Sequence, residues 1–425
     1  MINVLNAKGR CLLISVLLVI GIECAADELS LNLNGHIKFQ PTVEESRSDD
    51  IWRSSLSRSS ELIDIRLNGE VRQEQFRFVL QGESFTISGK TRNAGINSAT
   101  NLPGIVPINF LSDESRLFDL SSYSIEESKL ISIQRIDRAY LEYSGEQFVL
   151  RAGRQAYTVG NGLVFQAIDL FAPFSPVEID RDYKTGEDLL YLESILDDGV
   201  SLEVVTVPRR ESGDVTFDAG SYGAILHYNL PQFGTNVQGL SAWHRGEWNY
   251  GLGSSTSISD SVVRFDILAT RTANGEWKET FLFNCDTSWT LWEHNTYGFI
   301  EYYHNGFGSE QDFYSEMPEE TLQRFLAGDV YVTGTEFLSA GVRVELHPLL
   351  QLLLTEIYAL QDGSAFHQAQ LQYDFLQDAT LTLGVNIPTG GRGSEFGGRG
   401  VWFDEGETRY VRPTRSAYLR TSFFF

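Results

Sequence analysis

The sequence predicts an all-β protein, a transmembrane antiparallel up-and-down β-barrel of about 18 strands, with about 16 as the next count. Three observations predict it. Apolar and polar residues alternate with period two in segments of about 9–11 residues, the length a tilted strand needs to cross a bilayer. Short turns alternate along the chain with long polar connections. No stretch after residue 26 holds about 18 consecutive apolar residues, so membrane-spanning helices are excluded.

Residues 1–26 read as a secretory signal peptide. Lys8 and Arg10 precede an apolar run from Cys11 to Ile22, and the small residues Cys24, Ala25 and Ala26 follow. Glu23 stands where a lipoprotein signal wants a small residue, which disfavours lipid attachment at Cys24. Residues 27–425 then form one domain, because a barrel cannot be divided without creating open edges. Two of the three cysteines leave with the signal, so Cys285 has no intrachain partner. The formal charge is −24 overall and, the signal carrying a net +1, −25 for the mature chain. Such a balance argues against nucleic acid as a partner. It does not argue against a membrane, since a barrel keeps its charges in loops and lumen.

The first strand shows the pattern plainly. Leu29, Leu31, Leu33, Ile37 and Phe39 alternate with Ser30, Asn32, Asn34, His36 and Lys38, which puts the two sets on opposite faces. Strands are expected near 29–40, 60–69, 75–88, 133–144, 147–157, 188–196, 200–209, 220–230, 235–244, 249–258, 261–271, 277–288, 295–305, 334–346, 349–360, 366–376, 379–388 and 411–425. A soluble sandwich would alternate in the same way, so loop lengths carry the distinction. Short turns at 144–147, 197–199, 231–234, 347–349 and 377–379 alternate with long connections at 41–59, 90–131, 156–187, 306–333 and 389–409. Short turns on one rim and long loops on the other are how outer-membrane barrels are built. Both chain ends then lie on the short-turn rim and the strand number is even. That parity requires the Gly/Ser-rich segment 249–258 to be a strand.

The last strand, 411–425, ends in Phe423-Phe424-Phe425. A C-terminal strand closing on Phe resembles the signal read by the machinery that inserts barrels into the bacterial outer membrane. Aromatic girdles are expected at the lipid boundaries. Tyr143, Phe148, Tyr228, Phe233, Phe375 and Phe425 lie near short turns, and Trp243 and Trp248 near an outer loop.

The segment Gly153–Asp188 fits no strand. It is long and punctuated by Gly and Pro, yet carries Leu163, Val164, Phe165, Phe171 and Phe174. Long loops without secondary structure of their own are uncommon and usually functional. Residues 156–187 are therefore expected to fold into the barrel and narrow it. Its charged residues, with Arg154 at its start, form the expected constriction: Asp169, Glu178, Asp180, Arg181, Asp182, Lys184 and Asp188. Asp169-Leu-Phe-Ala-Pro together with Glu178, Asp180 and Asp182 could form a divalent-cation loop, since oxygens at i, i+2 and i+4 suit Ca²⁺. The Gly and bidentate Glu of an EF-type loop are missing, so a salt-bridged anchor is the better reading and no metal or cofactor is expected.

The pattern Gly153-Arg154-Gln155, Gly160, Asp169, Phe171, Pro173, followed by Asp180-Arg181-Asp182-Tyr183-Lys184 and Gly186, is similar to the alginate-export porin family. Tyr303–Gly308, Asp362–Ser364 and Gly393–Gly397 look like loop motifs of that group. The resemblance implies an 18-stranded diffusion channel with loops folded into its lumen. Export of an anionic polymer would call for a strongly basic pore, and this acidic chain departs from that.

With the apolar faces towards lipid, the inward set on neighbouring strands forms a basic wall of Lys38, Arg66, Arg77, Arg138, Arg151 and Arg420, interspersed with Asp64, Glu83 and Glu142. Elsewhere the inward set is acidic: Glu193, Glu203, Asp266, Asp286, Glu301, Glu345, Glu356 and Asp374 against Arg264 and Arg343. A basic wall facing an acidic loop would set up a transverse field that orients dipolar solutes. The same charges can instead pair and hold the loop.

The function expected is a porin-like channel in the bacterial outer membrane for small hydrophilic or charged solutes. Its partners are outer-membrane lipid, lipopolysaccharide and the barrel-assembly machinery. A structural or adhesive surface barrel is the alternative. A rim hydrolase is a third, but the histidines at 36, 227, 244, 294, 304, 347 and 367 are scattered, and neither G-x-S-x-G nor H-E-x-x-H occurs.

Overall fold

The computed structural model describes residues 29–45, 47–51, 57–89, 113–127, 130–172, 184–197, 199–402 and 406–425. The expected signal peptide lies outside them. The strands are β1 (Leu29–Glu45), β2 (Ser57–Gln73), β3 (Phe76–Gly89), β4 (Ser121–Glu127), β5 (Leu130–Ser144), β6 (Phe148–Gln155), β7 (Glu187–Asp197), β8 (Val200–Glu211), β9 (Asp214–Leu230), β10 (Thr235–His244), β11 (Glu247–Ile258), β12 (Ser261–Arg271), β13 (Trp277–Leu291), β14 (His294–His304), β15 (Glu336–His347), β16 (Leu350–Ala359), β17 (Ser364–Leu376), β18 (Ala379–Thr389), β19 (Arg399–Trp402), β20 (Thr408–Val411) and β21 (Arg415–Phe424). A helix, α1 (Glu319–Ala327), lies between β14 and β15.

All of these strands except β4, β19 and β20 pair antiparallel with their neighbours and close an 18-stranded barrel. The seam is β21 against β1, extended by Gly35 and Phe425, which exchange backbone hydrogen bonds of 2.8 and 3.1 Å. Gly35 is required there: a Cβ would stand 2.3 Å from the Arg66 carbonyl and 2.8 Å from the Phe425 ring. The Gly/Ser-rich segment that parity demanded is β11, paired along its length with β10 and β12. Among the described residues no helix is long and apolar enough to cross a bilayer.

The exterior carries the expected apolar band. Leu31, Leu33, Ile37, Phe39, Ile63, Phe78, Leu80, Leu252, Leu354 and Leu383 are all exposed. Phe76, Tyr143 and Phe148 touch in turn as tilted pairs near one rim, and Trp243 meets Trp248 edge-on near the other. Glu356 departs from expectation. It pairs across the sheet with Ala340 and His367 on the outward face, between Leu354 and Tyr358, and lies 3.3 Å from the imidazole of His367. Its neighbours Thr355 and Ile357 turn inward.

Two irregularities prepare the lumen. Between Gln81 and Gly82 the β3–β5 register slips past Asp137. This bulge admits Asp137 to the interior beside Arg138, whereas strict alternation would have sent it to lipid. The second concerns β4, in a connection expected to be all loop. β6 stops at Gln155, where the chain leaves the wall, and β4 takes over pairing with the outer half of β5. Arg116 then bridges to Arg209 on β8, so residues 113–127 patch the wall above the shortened β6 and β7.

Candidate functional site

Residues 156–172 run through the lumen and pack against the inner face of β7–β15. Tyr157, Val164, Phe165, Ile168 and Phe171 are buried in one cluster with Tyr191, Val205, Ile225, Leu240, Leu268, Leu282, Tyr303 and Phe337. Phe165 stacks on Tyr303 with centroids 4.4 Å apart, and Phe171 meets Tyr157 edge-on at 5.5 Å. Phe171 can approach the wall because residue 223 is glycine: a Cβ there would stand 2.6 Å from the ring. Each such ring removes about 2–3 kcal/mol worth of apolar surface from water.

A loop has backbone polar groups that an apolar wall cannot satisfy. Two carboxylates meet that need. Glu301 accepts the backbone N–H of Leu163 at 2.6 Å, Val164 at 3.1 Å and Phe165 at 2.8 Å. Asp266 accepts the backbone and side-chain N–H of Asn161, both at 2.6 Å. The turn tightens at Gly162, where a Cβ would collide with the Phe165 carbonyl at 1.6 Å. Asp266 and Glu301 thus hold the loop, and with Glu203 they lie beneath it. Of the eight carboxylates expected on the acidic far wall, these three contact the loop.

The base of the loop is fixed by a charge network. Arg154 forms a two-pronged contact with Asp188 at 2.8 and 2.9 Å, reaches Asp113 at 2.9 Å, and donates to the Phe118 carbonyl at 2.7 Å. Asp113 also accepts from Arg116 at 2.6 Å and from Leu120 N–H at 2.8 Å. Burial alone would raise the Asp113 carboxyl, but hydrogen bonds from Arg116 and Arg154 outweigh it and hold it down at about 2. Lys184 binds Asp169 at 2.5 Å and the Thr158 hydroxyl at 2.8 Å. Arg209 donates to the Phe171 carbonyl at 2.7 Å. Arg154, Asp169, Lys184 and Asp188 are therefore placed as ties of the loop. Glu178, Asp180, Arg181 and Asp182 lie outside the described residues. Asp113, Arg116, Asp137 and Arg209 complete the network and were not anticipated. Only the inward parity of Arg209 pointed to it.

Lys38, Arg66, Arg77, Arg138, Arg151 and Arg420 share one inward arc on β1, β2, β3, β5, β6 and β21. Carboxylates thread between them. Arg66 binds Asp137 and lies 3.6 Å from Glu83. Arg151 binds Glu142 at 2.6 Å, and Arg77 binds Glu70 at 2.8 Å with Glu142 at 3.8 Å. Arg138 reaches the Asp137 carboxylate at 2.5 Å and the Lys184 carbonyl. Arg420 donates to Gln40 at 2.8 Å. Arg77 and Arg151 keep about 30% of their side chains exposed, whereas Arg66 is buried. This arc is polar, and the described loop residues 156–172 pack against the opposite wall.

At the outer rim, the loops between β14 and β15 and between β18 and β21 lock together. Arg399 donates to Thr333 at 2.7 Å, to Glu395 at 3.0 Å and to the Ser309 carbonyl at 3.2 Å. Arg412 holds Asp50 at 2.8 and 3.2 Å. At the same rim the Ser221 hydroxyl lies 2.8 Å from His244 Nδ1, and His244 Nε2 lies 3.5 Å from Asp329. The trio has the composition of a hydrolytic triad, joined by direct pairing of Ser221 with His244 across β9 and β10. Ser221 is fully buried, receives a hydrogen bond from Arg209, and the adjoining cavity is only about 30 Å³. The trio links β9 and β10 to the loop that precedes β15.

No family model matches the chain, and no curated protein does. Among solved structures, OccAB1 of Acinetobacter baumannii superposes with a TM-score of 0.52 at 10% identity, over 95% of this chain and 98% of that one. OccAB4 of the same organism gives 0.50 at 10% identity, over 93% and 98%. OccK5 (OpdH) of Pseudomonas aeruginosa gives 0.50 at 10% identity, over 94% and 98%. At such identity the likeness is one of fold.

Proposed function

We propose that this protein is a passive outer-membrane channel for small hydrophilic or charged solutes, narrowed by residues 156–187. One observation carries the reading. The barrel is closed and greasy outside, while inside a loop fills one sector and leaves the opposite sector polar. The fold-level likeness to Occ/Opd outer-membrane porins supports it. The loop pattern similar to the alginate-export porin family supports a channel with an inserted loop, without the polymer. On this reading the apolar band meets outer-membrane lipid with lipopolysaccharide in the outer leaflet. Residues 1–26 direct export, and the C-terminal strand is what the assembly machinery recognises.

Reconstitution in planar bilayers tests it. The wild-type chain is expected to give discrete conductance steps, and a variant lacking 160–182 larger ones. Silence from both, with the barrel folded, overturns the reading.

A further inference from the structure

Below the tip of the inserted loop, towards the short-turn rim, the inner wall of β7–β11 opens into a cavity of about 450 Å³. Its lining includes Asn161 from the loop, Glu193, Ser201, His227, Asn236 and Gln238, and no lysine or arginine among the described residues. That composition differs from both sectors described above. It has neither the rings that seat the loop nor the arginines of the charged arc.

The chemistry is that of groups that donate and accept side by side. The Asn236 amide and the Ser201 hydroxyl can do both, and the Asn161 and Gln238 amides, each giving one N–H to Asp266, keep a second N–H and a carbonyl oxygen. The Glu193 carboxylate accepts from the Tyr191 hydroxyl at 3.0 Å. Behind it, Glu203 is occupied by the Tyr157 hydroxyl at 2.6 Å and by His227 at 3.1 Å. Two carboxylates in this wall repel an anion, yet their existing partners leave little to attract a lone cation. Asn161 is held by Asp266 through two hydrogen bonds, so the roof of the cavity is preformed.

We infer that this cavity is a binding subsite in the passage for small neutral polyhydroxylated solutes, sugars or polyols, and that it rejects carboxylate-bearing ones. The volume is within the range of small-molecule sites. Vicinal hydroxyls match paired amides and a carboxylate, each hydroxyl donating to one and accepting from another. The inference rests on the channel reading, because a subsite in the lumen serves transport only if solute passes.

Saturation-transfer NMR on the full chain, folded in detergent, separates the two. Glucose is expected to show saturable binding and gluconate, of similar size, none. The double variant Asn236→Ala/Gln238→Ala should weaken glucose binding roughly tenfold or more, two hydrogen bonds being lost. Gln372→Ala, on β17 across the lumen, should leave it unchanged, and Glu193→Gln should let gluconate bind. Equal binding of glucose and gluconate, no saturable binding to the folded barrel, or indifference to the double variant overturns the subsite. Binding that persists in a protein silent in bilayers upholds the subsite and removes the channel.

Discussion

Two sectors of one wall, woven from the same alternating strands, have opposite interiors. From β7 to β15 the inward positions hold Tyr191, Val205, Ile225, Leu240, Leu282, Tyr303 and Phe337, buried under the loop. From β21 through β1 to β6 they hold Arg420, Lys38, Arg66, Arg77, Arg138 and Arg151, threaded with carboxylates. Apolar groups facing a hydrated lumen would cost what their burial gains. The greasy sector is therefore the other half of a core whose first half is the loop. The polar sector needs no cover, because water and ion pairs satisfy it.

The largest way to break this contrast is at the tie between the sectors. Arg154→Ala leaves Asp188 buried without its guanidinium and Asp113 with Arg116 alone, a loss of about 3–5 kcal/mol. It should appear as a lower midpoint of heat- or urea-induced unfolding in detergent. Arg154→Lys should recover only part of it, since a point charge cannot make the two-pronged contact. Next is Glu301→Ala, which strips three backbone N–H groups of their acceptor, a cost on the order of 3 kcal/mol. Here the loop should loosen while the barrel stays closed, read as new protease cleavage within 156–172. Cleavage as slow as in wild type would mean that the rings alone hold the loop.

Gly223→Leu intrudes on Phe171 from the wall side and should cost about 1–3 kcal/mol, the usual penalty of overpacking. Acid tests the same tie from another side. The Asp113 carboxyl lies at about 2 when folded against an ordinary value of 3.8, so its contribution is complete above about pH 4. It is lost as the pH falls from there through 2, and Asp113→Asn should remove that part of the acid sensitivity. The smallest effect on stability belongs to the polar sector. Arg151→Ala removes a partly exposed arginine whose partner Glu142 keeps Arg77 at 3.8 Å, and should cost about 1 kcal/mol. If solutes pass along this arc, the reversal potential should nevertheless shift towards cation preference. An unchanged potential would place the passage elsewhere.

Much of this is legible in the sequence, residue by residue. Alternation located the wall strands, with ends off by as much as five or six residues at β1 and β9, and parity recovered β11 from a segment with little apolar signal. Leu163, Val164, Phe165 and Phe171 marked 156–187 as a segment that must bury itself. Where the reading fell short, it did so at departures from strict alternation. Asp137 turns inward only because of a bulge, and Glu356 faces outward because Thr355 and Ile357 set the phase of β16. Asp113, Arg116 and β4 lay in a connection whose polar composition gives no hint that it patches the wall. Glu301 and Asp266 read as lumen charges, and nothing local says that a carboxylate will accept from the backbone of a loop more than 100 residues away.

By itself the sequence determined the closed barrel, its even strand number, its greasy exterior and the intrusion of one loop. Those follow from local rules: period two for strands, short against long connections, and apolar residues that must leave water. Only the tertiary structure decided which sector the loop covers and which charges tie it down. Such pairings depend on side chains from separate strands and loops that meet only once the barrel is folded, as Asp266 and Glu301 meet Asn161 and Leu163, and no local pattern carries that information.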